Sequence, residues 1–406
     1  SFSMSISDID EDVTQLSDLE ESCHPSEYDW EEIISIITNE RVNGGLDQEP
    51  DSEPDRNDRN VEEDEGESDN EEIGKEMKNE SGLLTTIAKT IGIFCFISCP
   101  PVPEIITRKM AFHPPARTYD VYLDDIPDKK ITSAKRLRGK NFSIHAHPLE
   151  DREEEDYSAI RDQCTPFTVL TREKNTLIGV HFKSNRKPSL DDECAGALNN
   201  QVIIFAQPNS SDLGAFMHPQ SVNFAVLSNF LNMDIYAFDY SGYGLSSGHP
   251  SEKNVYADIH AVYDYVRNER PDKKICLLGY SIGTTVVTDL ASLEPDRLSG
   301  VILIAPFTSG IRLMWNVPSQ EKSCCLDRFK SADKITDVNV PVLIIHGSDD
   351  RMITMEHSQQ LHRRLKHPVT PLFVHGADHT TIFNGTHKQT FNRIMRFLRM
   401  ETFAMK

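Results

Sequence analysis

The stretch Ile275-Cys276-Leu277-Leu278-Gly279-Tyr280-Ser281-Ile282-Gly283-Thr284 decides the fold. Its first four residues read as a buried strand, apolar without a polar break. Its end opens a helix in which Val286, Val287, Leu290 and Ala291 are available for packing. Between the two lies Gly-x-Ser-x-Gly. A serine at such a corner sits on strained backbone with its hydroxyl exposed, and the glycines let strand and helix approach closely. The pattern occurs twice, the other copy being Gly244-Leu245-Ser246-Ser247-Gly248. That copy sits among Gly242, His249 and Pro250 with no helix starting at once, so Ser246 is read as a loop serine and Ser281 as the nucleophile.

Moving outward, candidate strands fall at 167–171, 177–183, 202–206, 235–240, 275–279, 301–305, 342–346 and 371–374. Several are continuous apolar runs, as in a parallel sheet buried on both faces. Helical patterns fall between them at 221–230, 252–268, 282–293, 356–365 and 387–398. Strands alternating with helices predict an α/β fold with a doubly wound, mostly parallel sheet of about eight strands. Only about 35 residues separate Ala305 from Val340, room for a small cap.

A serine hydroxyl is a poor nucleophile at neutral pH. It needs an adjacent imidazole, and the imidazole needs a carboxylate to fix its tautomer. Around a nucleophile elbow the acid and then the histidine follow in chain order, on loops after later strands. After 342–346 comes Gly347-Ser348-Asp349-Asp350-Arg351; either aspartate can serve, with Asp350 preferred and Asp349 the fallback. After 371–374 comes His375-Gly376-Ala377-Asp378-His379. His379 lies beyond the glycine turn and is preferred over His375, which ends the strand. Two backbone N–H groups must face the developing oxyanion. Ile282 supplies one, and the loop Gln207-Pro208-Asn209 after 202–206 supplies the other through Asn209, since Pro208 has no N–H.

The charge of the chain is local. Of 64 acidic and 42 basic residues in 406, the first 80 residues hold 28 acids and 5 bases, leaving 36 and 37 in the rest. A near-neutral globular part offers no excess basic face, so no nucleic-acid partner is expected. Residues 1–80 read as a disordered acidic tail, with a short helical spacing at 26–37 through Trp30, Ile33, Ile34 and Ile37. Composition then flips at 83–99, an apolar run with Cys95 and Cys99 followed by Pro100-Pro101. That run is shorter than a spanning helix and carries Lys89, so 81–119 is read as a membrane-proximal segment at the interface, stably held if both thiols are acylated. Residues 120–163 alternate basic and acidic patches and read as a charged linker or insertion before a catalytic domain at 164–402. Eight scattered cysteines without zinc-ligand spacing predict no metal and a reducing compartment.

Longer motifs carry a resemblance. Asp239-Tyr-Ser-Gly-Tyr-Gly-Leu-Ser-Ser-Gly248, Ser251-Glu-Lys-Asn-Val-Tyr-Ala-Asp258, Gly279-Tyr-Ser-Ile-Gly-Thr284, Pro306-Phe-Thr-Ser-Gly310 and Pro341-Val-Leu-Ile-Ile-His-Gly347 resemble the α/β-hydrolase domain-containing protein 17 family over about residues 165–400. Cys95, Cys99 and Ala111-Phe112-His113-Pro114-Pro115 resemble that family's opening. The resemblance implies the α/β-hydrolase fold and a membrane-associated serine hydrolase that removes palmitate from cysteines of other proteins through an acyl-serine intermediate. It implies Ser281, Asp350 and His379 as triad, no cofactor, and palmitoylation of Cys95 and Cys99. Its place would be the cytoplasmic face of the plasma membrane or endosomal membranes, its substrates S-palmitoylated membrane proteins, its catalytic domain a monomer. Gln207-Pro208-Asn209 departs from the family's usual His-Gly-Asn, and Cys95 and Cys99 are a sparser cluster behind a long tail. A lipid esterase or monoacylglycerol-type lipase would use the same machinery, and a non-catalytic binding protein can occupy the same fold.

Overall fold

The computed structural model describes residues 111–149, 154–185, 200–219, 222–321 and 327–402. The expectations for 1–80, for the helix at 26–37, and for Cys95 and Cys99 lie outside these residues.

Eight strands form one sheet: β4 (Cys164–Leu170), β5 (Thr176–Phe182), β6 (Gln201–Ala206), β7 (Asp234–Phe238), β8 (Lys274–Tyr280), β9 (Leu298–Ile304), β10 (Val342–Gly347) and β11 (Leu372–Val374). Their spatial order is β11-β10-β9-β8-β6-β7-β5-β4. The pairs from β11 to β7 are parallel, while β5 runs antiparallel to β7 and to β4. The central strands carry apolar residues at nearly every position because helices cover both faces. In β6, Ile203 and Phe205 enter one core cluster while Val202, Ile204 and Ala206 enter the other.

Helices α2 (Phe224–Leu231) and α8 (Lys388–Arg396) pack on the first face through Phe224, Phe230, Phe391 and Ile394. Helices α3 (Glu252–Glu269) and α4 (Ile282–Ala291) cover the other through Val255, Ile259, Val286 and Val287, joined by Leu361 of α7 (Met355–His362). Each such side chain removed from water stabilises by about 1.5–3 kcal/mol. Local caps fix where helices begin: the Asn223 side chain accepts the Val226 N–H, and Ser251 accepts the Asn254 N–H. Between β9 and β10 lie the short helices α5 (Gly310–Met314) and α6 (Ser331–Lys334).

The reading of 120–163 as a charged linker or insertion in solvent needs correction. Strands β1 (Tyr119–Leu123), β2 (Ile126–Lys130) and β3 (Phe142–Ala146) form an antiparallel sheet in the order β2-β1-β3, and helix α1 (Glu154–Asp162) follows. Tyr119, Val121, Leu123, Phe142 and Ile144 alternate inward and join the main core, as do Leu137 and Ile160. Charged residues lie on β2, exposed at all five positions, and at Lys135 and Arg136, which point to solvent from the short helical turn Ala134–Leu137. Period-two burial survives in a window whose average looks polar. Tyr119 also belongs to this sheet rather than to the segment before it. Among the described residues, no helix is long and apolar enough to cross a membrane.

Candidate active site

β8 ends and α4 begins at Ser281, whose φ of 54° and ψ of −118° lie where side-chain-bearing residues seldom go. The strain persists because neighbours over-determine it. The Ser281 N–H donates to Ile304 O at 2.9 Å. A Cβ on Gly279 would lie 2.5 Å from Gly283 O, and one on Gly283 only 2.0 Å from Ala206 O. Both glycines are therefore required by backbone packed on backbone. The Ser281 hydroxyl caps nothing in its own helix. It is instead 3.0 Å from His379 Nε2.

His379 stands on the loop after β11, and its Nδ1 is 2.7 Å from Asp350 Oδ2. Facing a carboxylate, Nδ1 carries the proton, which leaves Nε2 as the acceptor for the serine hydroxyl. Asp350, from the loop after β10, is itself held: its Oδ1 accepts the N–H groups of Met352 at 2.9 Å and Ile353 at 2.8 Å. Burial opposes its ionisation, but hydrogen bonds from His346 and His379, the His379 charge and the Ile353 N–H outweigh it. The Asp350 carboxyl is therefore held well below the usual carboxylate range. The alternatives fall elsewhere. Asp349 is exposed and accepts from Ser348 Oγ at 2.7 Å, and His375 Nδ1 lies 3.4 Å from that same Ser348 hydroxyl. Ser246 is buried, accepting the Ile178 N–H at 2.9 Å and donating to Asp239 O at 2.8 Å. Its hydroxyl ties β5 to the loop after β7.

His346, at the end of β10, was not singled out by the sequence reading. It is fully buried, with Nε2 2.8 Å from Ile353 O and 3.3 Å from Asp350 Oδ2, and Nδ1 2.5 Å from Ser358 Oγ. Since a carbonyl only accepts, Nε2 carries the hydrogen and braces the Asp350 loop. A histidine inside an otherwise apolar strand was the available signal. Tyr280 was also missed: its hydroxyl donates to His379 O, and its ring centroid is 5.7 Å from the imidazole.

Ile282 opens α4, and Asn209 stands in the turn after β6. The approach of Gly283 to Ala206 O sets these two turns side by side. Neither the Ile282 nor the Asn209 backbone N–H donates to another group among the described residues. Gln207, where the resembled family has histidine, points away into the interior: its Nε2 donates to Asp239 Oδ1 at 2.8 Å and Phe238 O at 3.2 Å. Among the described residues no group of three or more His, Cys, Asp or Glu is arranged to hold a metal.

A strained serine that leads from a central parallel strand into a helix, with a histidine relay to a buried aspartate behind it, is the working arrangement of one class. The fold and the site define a serine hydrolase of the α/β-hydrolase fold. The family model described as serine aminopeptidase, S33, matches residues 224–327, which include Ser281. Human α/β-hydrolase domain-containing protein 17B is 34% identical over 311 residues, covering 76% of this chain and 95% of that protein. The 17C protein of Xenopus laevis is 34% identical over 320 residues, covering 77% and 95%. The chain belongs to the α/β-hydrolase domain-containing protein 17 family. Among solved structures, the Pyrococcus furiosus esterase Pf2001 aligns with a TM-score of 0.48 at 15% identity, covering 63% of this chain and 98% of that one.

Proposed function

We propose that this serine hydrolase cleaves the thioester of S-acylated cysteines in membrane-associated proteins, releasing long-chain fatty acid such as palmitate. The observation that carries the hydrolytic reading is the hydrogen-bonded line from Asp350 through His379 to Ser281. His379 Nε2 takes the Ser281 proton as Oγ attacks the carbonyl carbon. The resulting oxyanion is met by the Ile282 and Asn209 N–H groups, and Asp350 stabilises the imidazolium. As the intermediate collapses, His379 returns that proton to the departing cysteine sulfur, which leaves as the thiol, and acyl-Ser281 remains. Water then attacks the acyl-enzyme, its proton passing to His379, and the carboxylic acid leaves as Ser281 is restored.

The thioester reading draws support from family membership and from Cys95 and Cys99, whose acylation would bring the enzyme to the cytoplasmic face of the plasma membrane or of endosomal membranes. Acylated proteins in that bilayer are then its substrates. The short connection between β9 and β10 suits a substrate that is itself a protein. In the decisive experiment the full chain and Ser281→Ala are given a palmitoyl-cysteine peptide and the matched oxygen ester. Thioester turnover that vanishes in the variant is the expected result. Cleavage of the oxygen ester alone would make the protein a lipid esterase, and folded protein that cleaves neither would make it a binding protein on a hydrolase fold.

A further inference from the structure

The Asn209 side chain has four hydrogen-bonding directions, and all are used. Its Oδ1 accepts the Tyr243 hydroxyl at 2.7 Å and the His113 N–H at 3.1 Å. Its Nδ2 donates to Ala111 O at 2.9 Å and lies 3.2 Å from His113 Nδ1. A backbone N–H only donates and a carbonyl only accepts, so the orientation of this amide is fixed by its partners. Three of the four partners belong to residues 111–113, some 96 positions earlier in the chain. Those residues are pinned in turn. Phe112 is only 5% exposed, and its ring meets Phe329 edge-on at 5.6 Å. Phe329 also faces Phe307 and Tyr256. Pro208 restricts the loop on the other side of Asn209 and offers no N–H to anchor it.

We propose that Ala111-Phe112-His113 is a strap that positions the oxyanion loop: by gripping the Asn209 side chain it aims the Asn209 backbone N–H at the reacting carbonyl. This rests on the hydrolase reading for its catalytic consequence, though not for the grip itself. Phe112 and Tyr243 are positioning residues. They act through Asn209, Tyr243 by its hydroxyl and Phe112 by holding the backbone of 111–113. An oxyanion donor contributes only when charge develops, so a slack strap lowers kcat and leaves KM nearly unchanged.

The test uses the full chain with Phe112→Ala, Phe112→Leu and Tyr243→Phe. Kinetics are measured on p-nitrophenyl butyrate, Ser281 labelling with a fluorophosphonate, and amide hydrogen exchange over 207–214 and around 281. For Phe112→Ala the expected result is kcat lower by about tenfold to hundredfold with KM within about twofold, and exchange over 207–214 faster while that around 281 is unchanged. Phe112→Leu refills the slot and restores kcat to within about threefold of wild type. Tyr243→Phe loses one hydroxyl and little volume, so it gives a smaller fall in kcat even if Phe112→Ala fails to fold. Unchanged exchange over 207–214 in the variants overturns the strap. So does faster exchange with unaltered kcat, or a raised KM at constant kcat. Wild-type protein that neither turns over ester nor takes label at Ser281 overturns the hydrolase reading instead, and exchange then still decides whether the strap holds the loop.

Discussion

Asp350 shows how much one carboxylate depends on what surrounds it. Two backbone N–H groups take one oxygen, and the second faces His379 with His346 alongside. The amide of Asp350→Asn fits the same space, but its NH2 group can force the opposite His379 tautomer, in which Nε2 can no longer accept the serine proton. Turnover of an ester substrate should fall by about 10⁴-fold with KM little changed, as expected when a triad carboxylate loses its charge. Asp349 has its side chain in solvent beside Ser348, so Asp349→Asn should leave kcat within about twofold. Steady-state kinetics on the two variants side by side checks both expectations, and equal losses would remove the distinction between the aspartates.

At the scale of elements, the elbow is a crossing of three backbones. Gly283 brings the first turn of α4 against the end of β6, where an added Cβ would sit 2.0 Å from a carbonyl oxygen that cannot rotate away. Gly283→Ala should cost about 3 kcal/mol or more and lower activity, because relief moves the Ile282 N–H. Gly376 is the control: its φ is +74°, but nothing lies within 4 Å of the added methyl group, so Gly376→Ala should cost only about 1–2 kcal/mol. Urea midpoints of the two variants separate packing from backbone strain. The elbow and the eight strands were legible in the sequence because both rest on local patterns, glycine spacing and unbroken apolar runs. The β1–β3 sheet was not, since Val121 and Leu123 alternate with polar residues beside dense charge. Nor was the grip on Asn209, because a contact across some 96 residues leaves no periodic trace.

The β1–β3 sheet is bound to the eight-stranded sheet through buried carboxyl groups. Thr118 and Tyr119 reach in from the start of β1: the Thr118 N–H donates to Asp212 at 2.8 Å, and the Tyr119 hydroxyl donates to Asp239 at 2.5 Å. Asp239 also accepts from Gln207 and from the Leu213 N–H at 2.9 Å, so one carboxyl group joins β1, the end of β7 and the loop after β6. Burial, reinforced by the nearby charge of Asp212, pushes Asp239 up to about 7 despite these donors. In the unfolded chain the same group titrates near 3.8. The folded state therefore holds a proton that the unfolded state has released. Its stabilising contribution is complete below about pH 4 and is lost as pH rises through about 7. Asp239→Asn keeps the shape and cannot ionise, so the difference between the two proteins isolates this group from others such as buried Asp258, also pushed up to about 7. Whatever the variant loses at pH 4, it should gain on wild type by about 1.4 kcal/mol per pH unit up to about pH 7, then level off. Urea unfolding of both proteins at pH 5, 6, 7 and 8 measures that gap. Parallel curves would mean that Asp239 stays ionised throughout, with the hydrogen bonds from Tyr119, Gln207 and Leu213 outweighing its burial, and that the joint between the two sheets is indifferent to pH.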